Sequence, residues 1–332
     1  MSGTGRTTMA WGAALALASV LAACEGTSSS DSSSGSGTEL DSLRMVVPAD
    51  PGGGWDLTAR SAQQAMESED IVPEVEVTNV PNAGGIVGLS QLIGAAGEGD
   101  LTMVMGLVML GAIETSDSDV SLDQTTPIAR LADEYEVIVV PADSPYKSLD
   151  DLVQDMTADP GSVSIAGGSA GGTDQILAGL IAQDVGVAAT DINYVAFSGG
   201  GAAIAAILGG KVSAGISGYS EFAPQIDAGK MRALGISAPE PLEGVDVPTL
   251  KEGGVDVTLS NWRGVVAPPE ITDDQRQTLI DAFEEVRDSE TWTKTLEQNY
   301  WRDTWLPGDD FGEYITTEEE RVSGILSELG LT

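Results

Sequence analysis

The residues with the clearest chemical potential are glycines, set in runs between a strand-like segment and a helical pattern. Pro51-Gly52-Gly53-Gly54-Trp55-Asp56 follows the apolar run Leu43 to Val47 and precedes a helical pattern from Leu57 to Met66. Consecutive glycines let the backbone approach a ligand closely. Amides at the start of a helix are unsatisfied donors at the positive end of its dipole, so such a turn suits an anion. Taken alone, the stretch reads more readily as a plain strand-to-helix turn, since glycine turns are common. Repetition shifts that balance. Pro81-Asn82-Ala83-Gly84-Gly85 stands between Val75 to Asn79 and a helical pattern from Ile86 to Ile93. Gly167-Gly168-Ser169-Ala170-Gly171-Gly172-Thr173-Asp174 stands between Val163 to Ala166 and a helix from about Gln175 to Ala182. Phe197-Ser198-Gly199-Gly200-Gly201 follows Ile192 to Ala196 and leads into Ala202 to Leu208, and Ser217-Gly218-Tyr219 follows Val212 to Ile216.

Other chemistries fit the residues poorly. Gly167 to Gly171 satisfies the G-x-S-x-G pattern of a hydrolase elbow, but a nucleophilic serine needs a base, usually histidine, and the chain has none. Ser144-Pro145-Tyr146-Lys147 matches S-x-x-K with a proline inside it and no K-T-G after it; a turn is the better reading. No Gly-Lys-Ser/Thr occurs, which excludes a Walker phosphate loop. Asp117-Ser118-Asp119-Val120-Ser121 begins like a calcium loop, but Leu122 stands where the glycine belongs. Without histidine or a cysteine cluster, zinc has no ligand set. No enzyme, cofactor or metal site is expected.

The elements that must hold these turns are short. Leu101 to Met105, ahead of Gly106, reads as a strand; so do Glu136 to Val140, Arg232 to Ile236 and Trp262 to Ala267. Ser148, with Asp151 three residues on, opens a helix as a capping box. Leu279, Ile280, Phe283 and Val286 share a helical face, as do Ile315, Val322, Ile325 and Leu329; these are core stripes. The recurring unit is strand, glycine turn, helix. Abundant glycine (41 residues) and few aromatics (5%) in 332 residues agree with an α/β class. In open α/β sheets ligands bind at the carboxyl ends of strands, so two lobes with facing turns would surround a small anion.

The formal charge of −37 rules against a nucleic-acid partner. The absence of histidine predicts that few groups titrate between about pH 6 and 8. Arg6 is the only charge in Met1 to Cys24, and Met9 to Leu21 is apolar but too short to span a bilayer. Leu21-Ala22-Ala23-Cys24 resembles a bacterial lipobox, which would make residues 1–24 a lipoprotein signal and Cys24, the only cysteine, the lipidated anchor. Residues 25–42 read as a flexible Ser/Gly tether.

Taken in order, these motifs resemble the extracytoplasmic substrate-binding receptors of tripartite tricarboxylate transporters. The resemblance runs from about Leu43 to the C-terminus. It is carried by the Pro51 to Asp56 stretch with Arg60, by Pro81 to Gly85, Gly168 to Asp174 and Phe197 to Gly201, by Ala228 to Leu234 and Val247 to Leu250, and by Trp262-Arg263-Gly264 with Ala267-Pro268. It implies a type II-like periplasmic-binding-protein fold with two α/β lobes, 43–140 plus 261–332 and 141–260. The ligand would lie in the cleft. It further implies capture of a small carboxylate, such as citrate or a dicarboxylate, and delivery to membrane permease subunits. A receptor of the same fold feeding a sensor kinase is the alternative. The implied contacts are Gly53, Gly54, Trp55, Asp56, Asn82, Ala83, Gly84 and Gly85 from one lobe. From the other come Ser169, Ala170, Gly171, Gly172, Thr173, Asp174, Ser198, Gly199 and Gly200. Asn82 replaces a usual glycine, and Gln175 a frequent histidine. A monomer anchored through Cys24 outside the cytoplasm is expected.

Overall fold

The structure is a computed structural model and describes residues 40–197 and 200–332. The expected signal, Cys24, most of the tether, and Ser198 and Gly199 lie outside the described residues. Among those described, no helix is long and apolar enough to cross a membrane.

The chain opens with strand β1 (Leu43–Val47), helix α1 (Gly54–Ser68), β2 (Val75–Asn79), α2 (Ile86–Gly94), β3 (Leu101–Gly106) and α3 (Leu107–Ser116). A 16-residue strand, β4 (Thr126–Pro141), follows. Next come α4 (Leu149–Ala158), β5 (Ser164–Gly167), α5 (Thr173–Asp184), β6 (Asn193–Ala196), α6 (Gly200–Leu208), β7 (Ala214–Gly218), α7 (Tyr219–Asp227) and β8 (Met231–Ile236). Strand β9 (Ser260–Ala267), α8 (Asp273–Asp288), α9 (Glu290–Asn299), β10 (Arg302–Pro307) and α10 (Gly308–Glu328) complete it.

The strands order as β2-β1-β3-β9-β4-β7-β5-β6, with β8 and β10 also paired to β4. β1 is parallel to β2 and β3, and β5 to β6 and β7; β9 and β4 run antiparallel to their neighbours. β4 belongs to both halves of this mixed sheet. Its residues Thr126 to Tyr135 pair with β9, and Glu136 to Val139 pair with β7. In both halves the carboxyl ends of the parallel strands feed the glycine turns.

The expected core stripes pack as read: Leu279, Phe283, Val286, Ile315 and Val322 are buried. Trp262 is fully buried, sits edge-on to Phe311 and Tyr314, and donates its indole N–H to Glu318 Oε2 at 2.8 Å. The Ser148 capping box forms, with the Asp151 amide donating to Ser148 Oγ at 3.2 Å.

Candidate functional site

The glycine turns of the two halves meet around one cavity of ≈ 1070 Å³. From the first half it is lined by Gly53, Gly54, Trp55, Asn82, Ala83 and Gly84, and from the second by Ser169, Ala170, Gly171, Gly172, Thr173 and Asp174. Gly200 opens α6 beside Gly201 and Ala202, which also face the cavity. Asn82 adopts φ +117 and Ala83 φ +51, so the turn takes its left-handed path without glycine at either position.

Two expected contacts sit elsewhere. Asp56 is buried beneath its own loop and accepts from Gly52 N–H (2.9 Å), Arg60 Nε (3.0 Å) and Asn79 Nδ2 (2.9 Å). Burial pushes its carboxyl up, but those donors outweigh it and hold Asp56 below the ordinary range. Asp56 therefore braces the turn, and Arg60 is its ion partner. Gly85 is also buried off the wall; a Cβ there would meet Met109 and Trp55.

Several glycine amides of the turns are already engaged within the protein, so the turns are only partly open as anion holes. Gly54 N–H donates to Glu221 Oε1 across the cavity at 3.0 Å, and Gly168 N–H to Asp174 Oδ2 at 2.6 Å. Gly171 N–H donates to Gln175 Oε1 at 2.7 Å, and Gly172 N–H to the Ser169 carbonyl at 2.9 Å. Gln175 thus does not leave the histidine's place empty: its side chain ties down the turn. Among the described residues, the amides of Gly53, Trp55, Ser169 and Ala170 make no hydrogen bond.

Asn261, Arg263, Ser217 and Glu221 also line the wall. Glu221 follows the Ser217-Gly218-Tyr219 turn by two residues, but no local pattern pairs it with the distant Gly54. Arg263 (2% exposed) pairs with Glu134 (1% exposed) and stacks its guanidinium 4.6 Å over the Trp301 ring. Glu134 also accepts from the Ser220 amide at 2.7 Å. Gly54 is required by this arrangement, since a Cβ there would lie 2.5 Å from the Arg263 guanidinium.

The cleft is rich in acids. Burial, reinforced by Glu134, pushes Glu221 up to about 7 against the nearby Arg263. Burial also pushes Asp174 up to about 6, and raises Glu136, which Asp174 and Glu134 push further. The few groups that titrate near pH 6 to 7 in this histidine-free protein are thus buried carboxyls of the cleft. Because folding raises both pKa values above their ordinary 3.8 and 4.5, it favours the protonated acids. That contribution is complete below the ordinary values and is lost as pH rises through about 6 and about 7. The melting temperature is expected to fall by a few degrees between about pH 5 and 8, with Glu221→Gln flattening the upper part of the fall. Calorimetric melting against pH is the check; a flat profile would contradict the burial of these acids.

This combination of a mixed two-part sheet and a cavity walled by glycine turns defines a solute-binding protein of the periplasmic-binding-protein type. The chain belongs to the tripartite tricarboxylate transporter family receptors (TctC), whose profile matches residues 58–331. It is a binding receptor, not an enzyme. It is 27% identical to Protein BugT of Bordetella pertussis over 87% of this chain and 89% of that one. The fold matches MatC from Rhodopseudomonas palustris with bound malate: TM-score 0.77, 23% identity, 86% of this chain and 98% of the other. It also matches a second R. palustris protein with adipate, at TM-score 0.76 and 19% identity over 87% and 97% of the two chains.

Proposed function

We propose that this receptor captures a small carboxylate in the cavity between its sheet halves and delivers it to the permease subunits of a tripartite tricarboxylate transporter. The observation that carries this is the cavity itself. Its ≈ 1070 Å³ lies where the turns of both halves converge, so a ligand would touch both at once. Residues 43–140 with 261–332 and residues 141–260 would be the two closing lobes, with β4 shared between them. Bound malate and adipate in proteins of the same fold support a dicarboxylate; citrate remains within the same chemistry. Cys24, lipidated, would anchor the monomer outside the cytoplasm, with residues 25–42 as the tether.

Calorimetric titration with malate, succinate, adipate, tricarballylate and citrate tests this reading. Binding of none of them would sink it. Gly53 gives the accompanying variant, because it lines the cavity and a Cβ there meets nothing closer than the Asp50 carbonyl at 4.0 Å. Gly53→Val should fold with an unchanged melting temperature and weaken binding about tenfold, a loss near 1.4 kcal/mol. Wild-type affinity in that variant would move the ligand away from the first turn.

A further inference from the structure

The wall of the cavity sets carboxylate acceptors beside its open amide donors. Glu221 takes the Gly54 amide with Oε1, while Oε2 accepts from Ser217 Oγ at 3.3 Å. Asp174 takes the Gly168 amide, and it too faces the cavity. Among the described lining residues Arg263 is the one cation, and Glu134 already neutralises it. Asn261 is also spent: its Nδ2 donates to Glu136 Oε1 at 2.9 Å, and its Oδ1 accepts from Thr173 Oγ1 at 3.4 Å. The remaining oxygen of Glu136, fully buried in this charge network with Asp174, has no hydrogen-bond partner among the described residues.

A ligand made only of ionised carboxylates would meet like charge at Glu221 in a partly dehydrated site, where such contacts weaken binding. A ligand with a donor would instead make a favourable contact with the Glu221 carboxylate, whose oxygens keep accepting capacity beside the Gly54 amide and the Ser217 hydroxyl. We propose that Glu221 is a specificity-determining residue that selects small dicarboxylates also carrying a hydrogen-bond donor, an ammonium ahead of a hydroxyl. The donor turns towards Glu221, and the carboxylates take the amides left open at Gly53, Trp55, Ser169 and Ala170. An ammonium ranks first because it also offsets Asp174. This rests on the carboxylate-receptor reading above and narrows it.

Two matched series isolate the donor: succinate, malate and aspartate, then glutarate, 2-hydroxyglutarate and glutamate. Each is titrated calorimetrically into wild type, Glu221→Gln and Glu221→Ala at about pH 8. In wild type, aspartate or glutamate should bind about tenfold or more tighter than its donor-free partner, with the hydroxy acid between. Glu221→Gln keeps an acceptor for the Gly54 amide but removes the charge. The ammonium preference should shrink there to about threefold or less while succinate or glutarate still binds. A merely structural Glu221 would instead weaken every ligand alike. Equal binding of succinate and aspartate by wild type, or a preference that survives in the variants, overturns the proposal and leaves the carboxylate reading intact. Failure of all six ligands to bind wild type overturns this inference, whereas the carboxylate reading falls only if adipate, tricarballylate and citrate fail as well. Should Glu221→Ala fail to fold, Glu221→Gln decides.

Discussion

Replacing Arg263 by methionine is expected to destabilise the protein by about 3–5 kcal/mol, because it strands a buried carboxylate. Glu134 is 1% exposed, so water cannot replace the lost guanidinium. Its contacts with Ser220 supply hydrogen bonds but no charge. The stack of Arg263 on Trp301 goes as well, although methionine refills part of that volume. At roughly 2 °C per kcal/mol for a domain of this size, the melting temperature should fall by about 6–10 °C. Glu134→Gln in the Arg263→Met background removes the orphaned charge and should recover most of the loss. A single variant melting within a degree or two of wild type would show that solvent reaches Glu134. A double variant no better than the single would place the cost in the Trp301 contact instead.

Gly111→Val is expected to abolish ligand affinity, by about a hundredfold or more, while sparing stability. Gly111 lies inside α3, where glycine costs about 1 kcal/mol relative to alanine by propensity alone. Its use there follows from a contact between the halves: a Cβ would overlap the Gly171 carbonyl oxygen. The fit is mutual, since a Cβ on Gly171 would lie 2.5 Å from Thr115 Oγ1 on the same helix. Valine should hold the second-half turn away from α3 and leave each half's core untouched. A hundredfold weakening corresponds to about 2.7 kcal/mol. Scattering should show a larger radius of gyration for the variant, and calorimetry the lost affinity. Normal binding by Gly111→Val would mean that α3 and the 168–172 turn do not meet in the bound form. Gly111→Ala should behave likewise, more mildly.

Strand-turn-helix alternation, the Ser148 cap and the amphipathic stripes of α8 and α10 were legible in the sequence because each is a local pattern. So was the convergence of the glycine turns, which follows from strands ending on one side. β4 was read only from Glu136 to Val140, where branched apolar residues cluster. Its earlier part carries Arg130, Asp133 and Glu134, which break the apolar run; Asp133 and Glu134 are nonetheless buried, and Glu134 pairs with Arg263, which lies far along the chain. α3 was missed because Leu107 to Gly111 is apolar on nearly every side, leaving no stripe. Among the amide acceptors, Asp56 and Gln175 lie four residues beyond their glycines and could have been read as turn braces. Glu221 lies 167 residues from Gly54, and only the tertiary fold brings it there.

The long strand β4 has a mechanical meaning as well. It changes partners between Tyr135 and Glu136, from β9 to β7, so any rotation of one half against the other must twist the chain at that step. The residues flanking it are Glu134, which holds Arg263, and Glu136, which sits with Asp174. The pivot and the charge network are therefore the same few residues. A change in the angle between the halves alters carboxylate spacings, and a change in the charge held in the cleft alters the torque on the strand. If the halves close on a ligand as proposed, its charge and the degree of closure would form a single coordinate, and a membrane partner sensing only the outer shape of the receptor would also sense what it carries.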